Sequence, residues 1–267
     1  MEEELRDDQW ALIMPLLPGH KCRGRPRAGD RRTLNGILWV LRSGARWKDL
    51  PRQYGSRSTC HRRLREWQEL GVWEHIWLRF LTILDQQGKL DWSQAFLDGP
   101  PLADASQKGG ENIGYGWKGK GSTVHMITEA QGLPLAFEVT AANLAEVTVG
   151  LEVVYGVGVP RPKGRPRKRP KTLAADKGYD SAEFRRQLRS RGIRPSIPRR
   201  VWPKRKRRPG RPPQAYEASQ GRWKVERTHG WLDNYRHLVT RYDWYTHSYV
   251  AFLTIACFMT ALSGILA

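Results

Sequence analysis

The chain has 267 residues, enough to bury a substantial core and to make two domains. Lys and Arg outnumber Asp and Glu 46 to 26, a formal charge of +20 that calls for a polyanionic partner; on charge alone DNA and an RNA-binding structural role are equally open. Cys22, Cys60 and Cys257 are scattered with no Cys-x-x-Cys pair, which suggests neither a structural zinc site nor a disulfide framework and fits a reducing compartment; the acidic start at Met1-Glu2-Glu3-Glu4 is unlike a secretion signal.

The first 90 residues read as helical. Leu5, Trp10, Ile13 and Leu17 have helical spacing, and Pro15 and Pro18 end that helix. The spacing predicts a second helix over 32–43, stopped by Gly44, then a short segment from Trp47 to Leu50. Ser56 or Ser58 is placed to cap a third helix running to about Leu70. Its exposed positions are expected to carry Arg57, His61, Arg62, Arg63 and Arg65, with Leu64, Trp67 and Leu70 as apolar anchors. Helix, short helix, turn and basic helix is a helix-turn-helix layout, so these cations are candidate DNA contacts; a solvated basic face is the plainer alternative. A fourth helix is expected over 73–87.

From Asp91 the pattern changes to α/β. Strands are expected over 92–98, 122–128 and 133–140, the last two joined by a tight turn at Gln131-Gly132. A helix over 141–155, a strand over 172–175, a helix over 181–190, a strand over 193–197 and a helix over 219–236 complete a mixed sheet with flanking helices. Residues 249–267 carry no charge and are long enough to span a membrane, but Thr254, Thr260, Ser263 and Gly264 dilute them, and the segment reads as a buried core helix. Two basic loops, about 156–171 and 198–218, interrupt the second domain. Gly-Arg-Pro recurs at Gly24, Gly164 and Gly210, which makes Arg25, Arg165, Arg167, Lys168, Arg169, Arg205 and Arg211 candidates for a DNA minor groove or for phosphates alone.

Phosphodiester chemistry at neutral pH is served by paired divalent ions on carboxylate oxygens. Asp98 ends the apolar run Gln94-Ala95-Phe96-Leu97, and Asp176 ends Leu173-Ala174-Ala175 in the same construction. Glu226 lies on a helix where Val225, Leu232 and Tyr235 face the core, and Arg222, Glu226, His229 and Asp233 form the neighbouring stripe. Arg222 and His229, about a turn either side of Glu226, are candidates for phosphate contact or water orientation.

At these residues the chain resembles the DDE transposases of bacterial insertion sequences, in the insertion-sequence-five-like group. The resemblance is carried by Gly44-Ala45-Arg46-Trp47-Lys48-Asp49-Leu50-Pro51, Lys108-Gly109-Gly110, the stretch 118–138, Asn143-Leu144-Ala145-Glu146, Ala175-Asp176-Lys177-Gly178-Tyr179-Asp180-Ser181 and Lys224-Val225-Glu226-Arg227. The pattern's Tyr seven residues before the Glu is Ser219 here, its Lys seven residues after is Asp233, and Gly99 is followed by Pro100 rather than a small hydroxyl residue. The resemblance implies a helical DNA-binding domain over 1–90 and a ribonuclease-H-like catalytic domain over 91–267. It implies Asp98, Asp176 and Glu226 as catalytic ligands of two Mg²⁺ ions, with Mn²⁺ able to substitute, cleavage at terminal inverted repeats, and strand transfer into target DNA. A homodimer or higher multimer on double-stranded DNA in the bacterial cytoplasm, at the nucleoid and away from membranes, goes with it. A catalytically inactive DNA-binding regulator derived from such an enzyme is the alternative.

Overall fold

A computed structural model describes residues 4–19, 27–99, 101–105, 109–116, 119–199 and 221–267. The helices of the first segment are α1 (Asp7–Ile13), α2 (Asp30–Ser43), α3 (Arg57–Glu69) and α4 (Val72–Gln86). Pro15 falls in a single 3-10 turn after α1, since its ring blocks a longer helix. α2 stops at Gly44, whose φ of 67° is the left-handed cap that a residue without Cβ takes cheaply. Ser56 occupies the N-cap position of α3, and its carbonyl, not its hydroxyl, receives the first helical bonds.

The sheet is built on β4 (Gly119–Glu129). β1 (Ala95–Asp98) and β2 (Pro101–Ala105) follow one another antiparallel along one edge of β4. β5 (Pro134–Ala141) and β3 (Gly114–Gly116) occupy its other edge. Beyond β1 lie β6 (Thr172–Ala175) and then β7 (Arg194–Ser196), both parallel to it; β8 (Thr240–Arg241) runs parallel to β2. Helices α5 (Glu146–Gly156), α6 (Ala182–Ser190), α7 (Trp223–Asp233), α8 (Arg236–Val239) and α9 (Thr246–Leu266) complete the order. β1 is shorter than expected because Trp92 leaves the strand: its Nε1 donates to Asp85 Oδ1 at 2.9 Å. α5 starts at Glu146 rather than 141 because Thr140 and Ala141 are still paired with Thr123 and Ser122 of β4.

The β4–β5 hairpin is closed by a buried carboxylate. Glu129 Oε1 accepts from the backbone N–H of Gln131 and Leu133 at 2.8 and 2.9 Å, and Oε2 accepts from Asp91 at 3.0 Å. Gly132 supplies the turn's positive φ of 99°.

One hydrophobic core crosses the boundary between the two segments. The apolar C-terminal helix is a core helix: α9 is packed against α4, with Phe258 stacked on Trp73 and edge-on to Phe80, both at 6.2 Å between ring centres. Trp77, on the same helix, stacks on Phe137 of β5 at 5.5 Å. Arg241 is fully buried, donating to Ser122 Oγ at 2.6 Å and lying over the Tyr249 ring, which ties the start of α9 to the sheet. Because α4, α9 and the sheet share this packing, Phe258→Ala should cost about 3–5 kcal/mol. Urea unfolding followed by Trp fluorescence and by far-UV circular dichroism should give one coincident, shifted transition; two separated transitions would show that the segments fold independently.

Candidate active site

β1 and β6 are neighbours, parallel, with Leu97 opposite Ala175. The next residues, Asp98 and Asp176, therefore emerge side by side where the two strands end, one inter-strand spacing apart, about 4.8 Å. Side chains alternate along a strand, so Asp98 shares a face with Phe96, and Asp176 with Ala174. That face is covered by α7: Val225 packs with Phe96 and Ala174 in a separate small apolar cluster, while Leu97 and Ala175 enter the main core behind. Anchoring Val225 there holds the exposed Glu226 and, one turn earlier, Arg222 over the strand ends. Arg222 Nη2 lies 3.7 Å from Asp98 Oδ1.

Burial pushes the Asp98 carboxyl above the usual range, and the negative charges of Asp176 and Glu226 add to this; Arg222 and the Gly99 N–H work against it. Asp176 heads a 3-10 turn and accepts from Gly178 N at 2.6 Å. A fourth acid stands with them. Glu146, the first residue of α5, is raised to about 7 by burial, then by the charges of Asp176 and Asp98, and it shares a hydrogen bond with Asp176. Under the acids lies a fixed floor. Tyr179 Oη and His125 Nδ1 are 3.2 Å apart, and His125 Nε2 is 3.0 Å from Thr140 Oγ1. A Cβ at position 99 would sit 2.5 Å from His125 Nδ1, so Gly99 is the residue that lets the chain leave β1 over this floor.

The structure thus brings Asp98, Asp176 and Arg222 together, with Glu226 in electrostatic range of Asp98. Among the described residues, no three His, Cys, Asp or Glu side chains already stand close enough to share an ion. The donors that do gather are all carboxylates, the hard oxygen set that suits a hard divalent cation, and glycines at 99 and 178 leave the space beside them open. Sequence reasoning does not single out Glu146 or the Tyr179–His125 pair as site residues; the signals for them are the acid opening α5 and the Tyr within Asp176-Lys177-Gly178-Tyr179.

Several expected positions are corrected. Arg63 is not on the exposed face of α3: it is buried, lying over Trp67 at 5.3 Å and paired with Asp30 at 3.5 Å and Glu66 at 3.4 Å. Leu70, expected as an anchor, is 63% exposed. Arg57, Arg62 and Arg65 are exposed, and His61 is half-buried with its ring edge-on to Trp47. In the first basic loop Arg167 pairs with Asp85 at 2.9 Å, covers the Trp92 ring and bridges to Val159, because Asp85 is a nearly buried acid that needs a counter-charge. Arg165, Lys168 and Arg169 remain exposed. Arg25, Arg205, Arg211 and Ser219 lie outside the described residues, as does most of the second basic loop.

His229 is also buried, and neither ring nitrogen has a partner among the described residues. Burial holds its pKa down to about 4. A folded pKa below the unfolded value stabilises the fold fully above about 6.5 and loses that stability as pH falls toward 4. His229→Leu should therefore leave thermal stability at pH 7 nearly unchanged and recover about 2–3 kcal/mol of the loss at pH 4.5. Parallel melting curves at the two pH values check this; equal acid sensitivity in both proteins would refute it.

Two family models match the chain. Residues 5–77 match the family described as "Putative transposase of IS4/5 family", and residues 90–260 match "Transposase DDE domain". The "Putative transposase for insertion sequence element IS402" of Burkholderia cepacia is 38% identical over 138 residues, 51% of this chain and 61% of that protein. The 16.2 kDa protein of the same insertion element is 42% identical over 114 residues, 39% of this chain and 78% of that protein. The chain thus spans less than two thirds of the IS402 transposase. A solved Mos1 strand transfer complex aligns over 92% of this chain and 81% of its own at 12% identity, with a TM-score of 0.27. With the DDE model covering residues 90–260, well over half its length, the chain belongs to the DDE transposase family.

Proposed function

We propose that this protein cuts the ends of a DNA element and joins them to target DNA, using two Mg²⁺ ions held by Asp98, Asp176 and Glu226. The observation that supports it most is the adjacency of Asp98 and Asp176 at the ends of two parallel strands, with α7 anchored above them by Val225. The strand order β5-β4-β1-β6-β7, three antiparallel strands followed by two parallel ones, is read as ribonuclease-H-like. Mn²⁺ would serve on the same oxygens.

Held by Asp98, Asp176 and Glu226, such ions would supply activation of a water or a 3′ hydroxyl and charge uptake on the departing oxygen. The chain's own part is placement. Tyr179 and His125 fix the floor, so the strand ends do not shift as charge moves above them. Arg222, loosely paired with Asp98, can turn its guanidinium to a phosphate oxygen when DNA arrives. Phosphate contacts fall to Arg57, Arg62 and Arg65 on α3 and to Arg165, Lys168 and Arg169 on the first basic loop, all on the surface. Terminal inverted repeats and target DNA are the proposed partners, engaged by a homodimer or higher multimer at the bacterial nucleoid.

Asp176→Asn should lower Mg²⁺-dependent cleavage of labelled inverted-repeat ends by at least roughly 100-fold. Gel-shift affinity for the same DNA should stay within a few-fold; undiminished cleavage would remove Asp176 from the mechanism. Replacing Arg57, Arg62 and Arg65 by Ala should reduce the slope of log K against log salt by roughly 0.9 for each phosphate that these side chains neutralise. An unchanged slope would place the DNA elsewhere.

A further inference from the structure

Resting on the two-metal reading, we propose that Glu146 is a fourth ligand of the site, sharing an ion with Asp176, so that four carboxylates rather than three hold the divalent pair. The case begins with where α5 is fixed. Val149, Val153 and Val154 bury one side of the helix in the main core, and Gly150 lies so close to Tyr179 that a Cβ there would come within 2.9 Å of its ring. Tyr179 belongs to the same turn that Asp176 heads. The helix carrying Glu146 is thereby registered against the turn carrying Asp176, with no flexible segment between the two contacts.

Gly178 reports the result. A Cβ on this residue would collide with Glu146 Oε2 and sit 2.8 Å from Asp176 Oδ1. Two carboxylate oxygens from different elements therefore converge over one glycine, and a side chain there would leave no room for both. An acid in the first turn of a helix commonly faces solvent, where the helix dipole alone favours it. Glu146 instead turns toward a second carboxylate, an arrangement that repels unless a shared proton or a cation lies between them. Arg222 also acts on Glu146, but its guanidinium lies at Asp98, 3.7 Å from the Asp98 carboxylate.

Charge balance supports the same conclusion. Asp98, Asp176 and Glu226 leave one positive charge over when two divalent ions bind. Adding Glu146 makes the sum zero and releases Arg222 to meet the substrate phosphate, in a half-buried place where uncompensated charge is costly.

The test is Mn²⁺ binding to the full chain without DNA at pH 7.5, followed by titration calorimetry and electron paramagnetic resonance. Wild type is compared with Glu146→Gln, Asp176→Asn and Glu226→Gln, each checked by circular dichroism. Glu146→Gln should weaken one Mn²⁺ at least about 10-fold, and Asp176→Asn should weaken binding further. If Glu146→Gln binds as wild type while Asp176→Asn does not, Glu146 is no ligand and the three-acid site stands. If every variant binds as wild type, the two-metal reading falls with it. A measurement on wild type alone needs no variant to fold: Fe²⁺ with ascorbate and peroxide should cut the backbone beside residue 146 as well as beside 98 and 176. Cuts confined to the latter two would overturn the assignment.

Discussion

The parallel pairing of β1 with β6, Leu97 opposite Ala175, is the constraint on which the site depends. It makes two acids that are far apart in sequence into neighbours without any contact between their side chains having to form first. Strand parity then decides which face they share, and the same parity exposes Phe96 and Ala174 as the apolar seat for Val225. A slip of one residue between these strands would send one acid to the core side. Such a slip is blocked because Leu97 and Ala175 are themselves core residues and β1 is also locked to β4 through four residue pairs.

Two glutamates show how surroundings sort acids by role. Glu129 accepts three backbone N–H bonds and has a structural job, closing a hairpin. Glu146 and Asp98 face other acids, and burial together with those charges pushes both carboxyls upward. The first kind of site is satisfied within the chain. Among the described residues the second has only Arg222 against several acids, which is how a structure can be folded and still poised for a cation.

Much of this is readable from residue order. Apolar runs ending in Asp mark both strand ends, Gly44 marks the stop of α2, and Ser181 caps α6, accepting from Phe184 N at 2.9 Å. What escapes has physical causes. β2, β3 and β8 are short, and the first two are flanked by Pro or Gly, so they carry no readable alternation. Arg63 and His229 sit on polar-looking stripes, yet Asp30 and Trp67 draw the first inward and the neighbouring core encloses the second. Glu146 is visible only as part of a motif, because its importance comes from Gly178 and Asp176, some thirty residues away. The sharing of one core by α4 and α9 is likewise a long-range fact that helical periodicity does not contain.

That sharing has a consequence for how the protein is made. Trp73 and Phe80 leave the ribosome about 180 residues ahead of Phe258, the ring they pack against. At roughly 5–20 residues per second, the apolar side of α4 waits on the order of ten seconds or more for its partner. Through that interval it is a sticky surface in a crowded cell, a natural client for chaperones. Nascent chains halted before residue 246 should therefore aggregate or be degraded rather than persist as free fragments, so synthesis itself would clear incomplete copies of the chain.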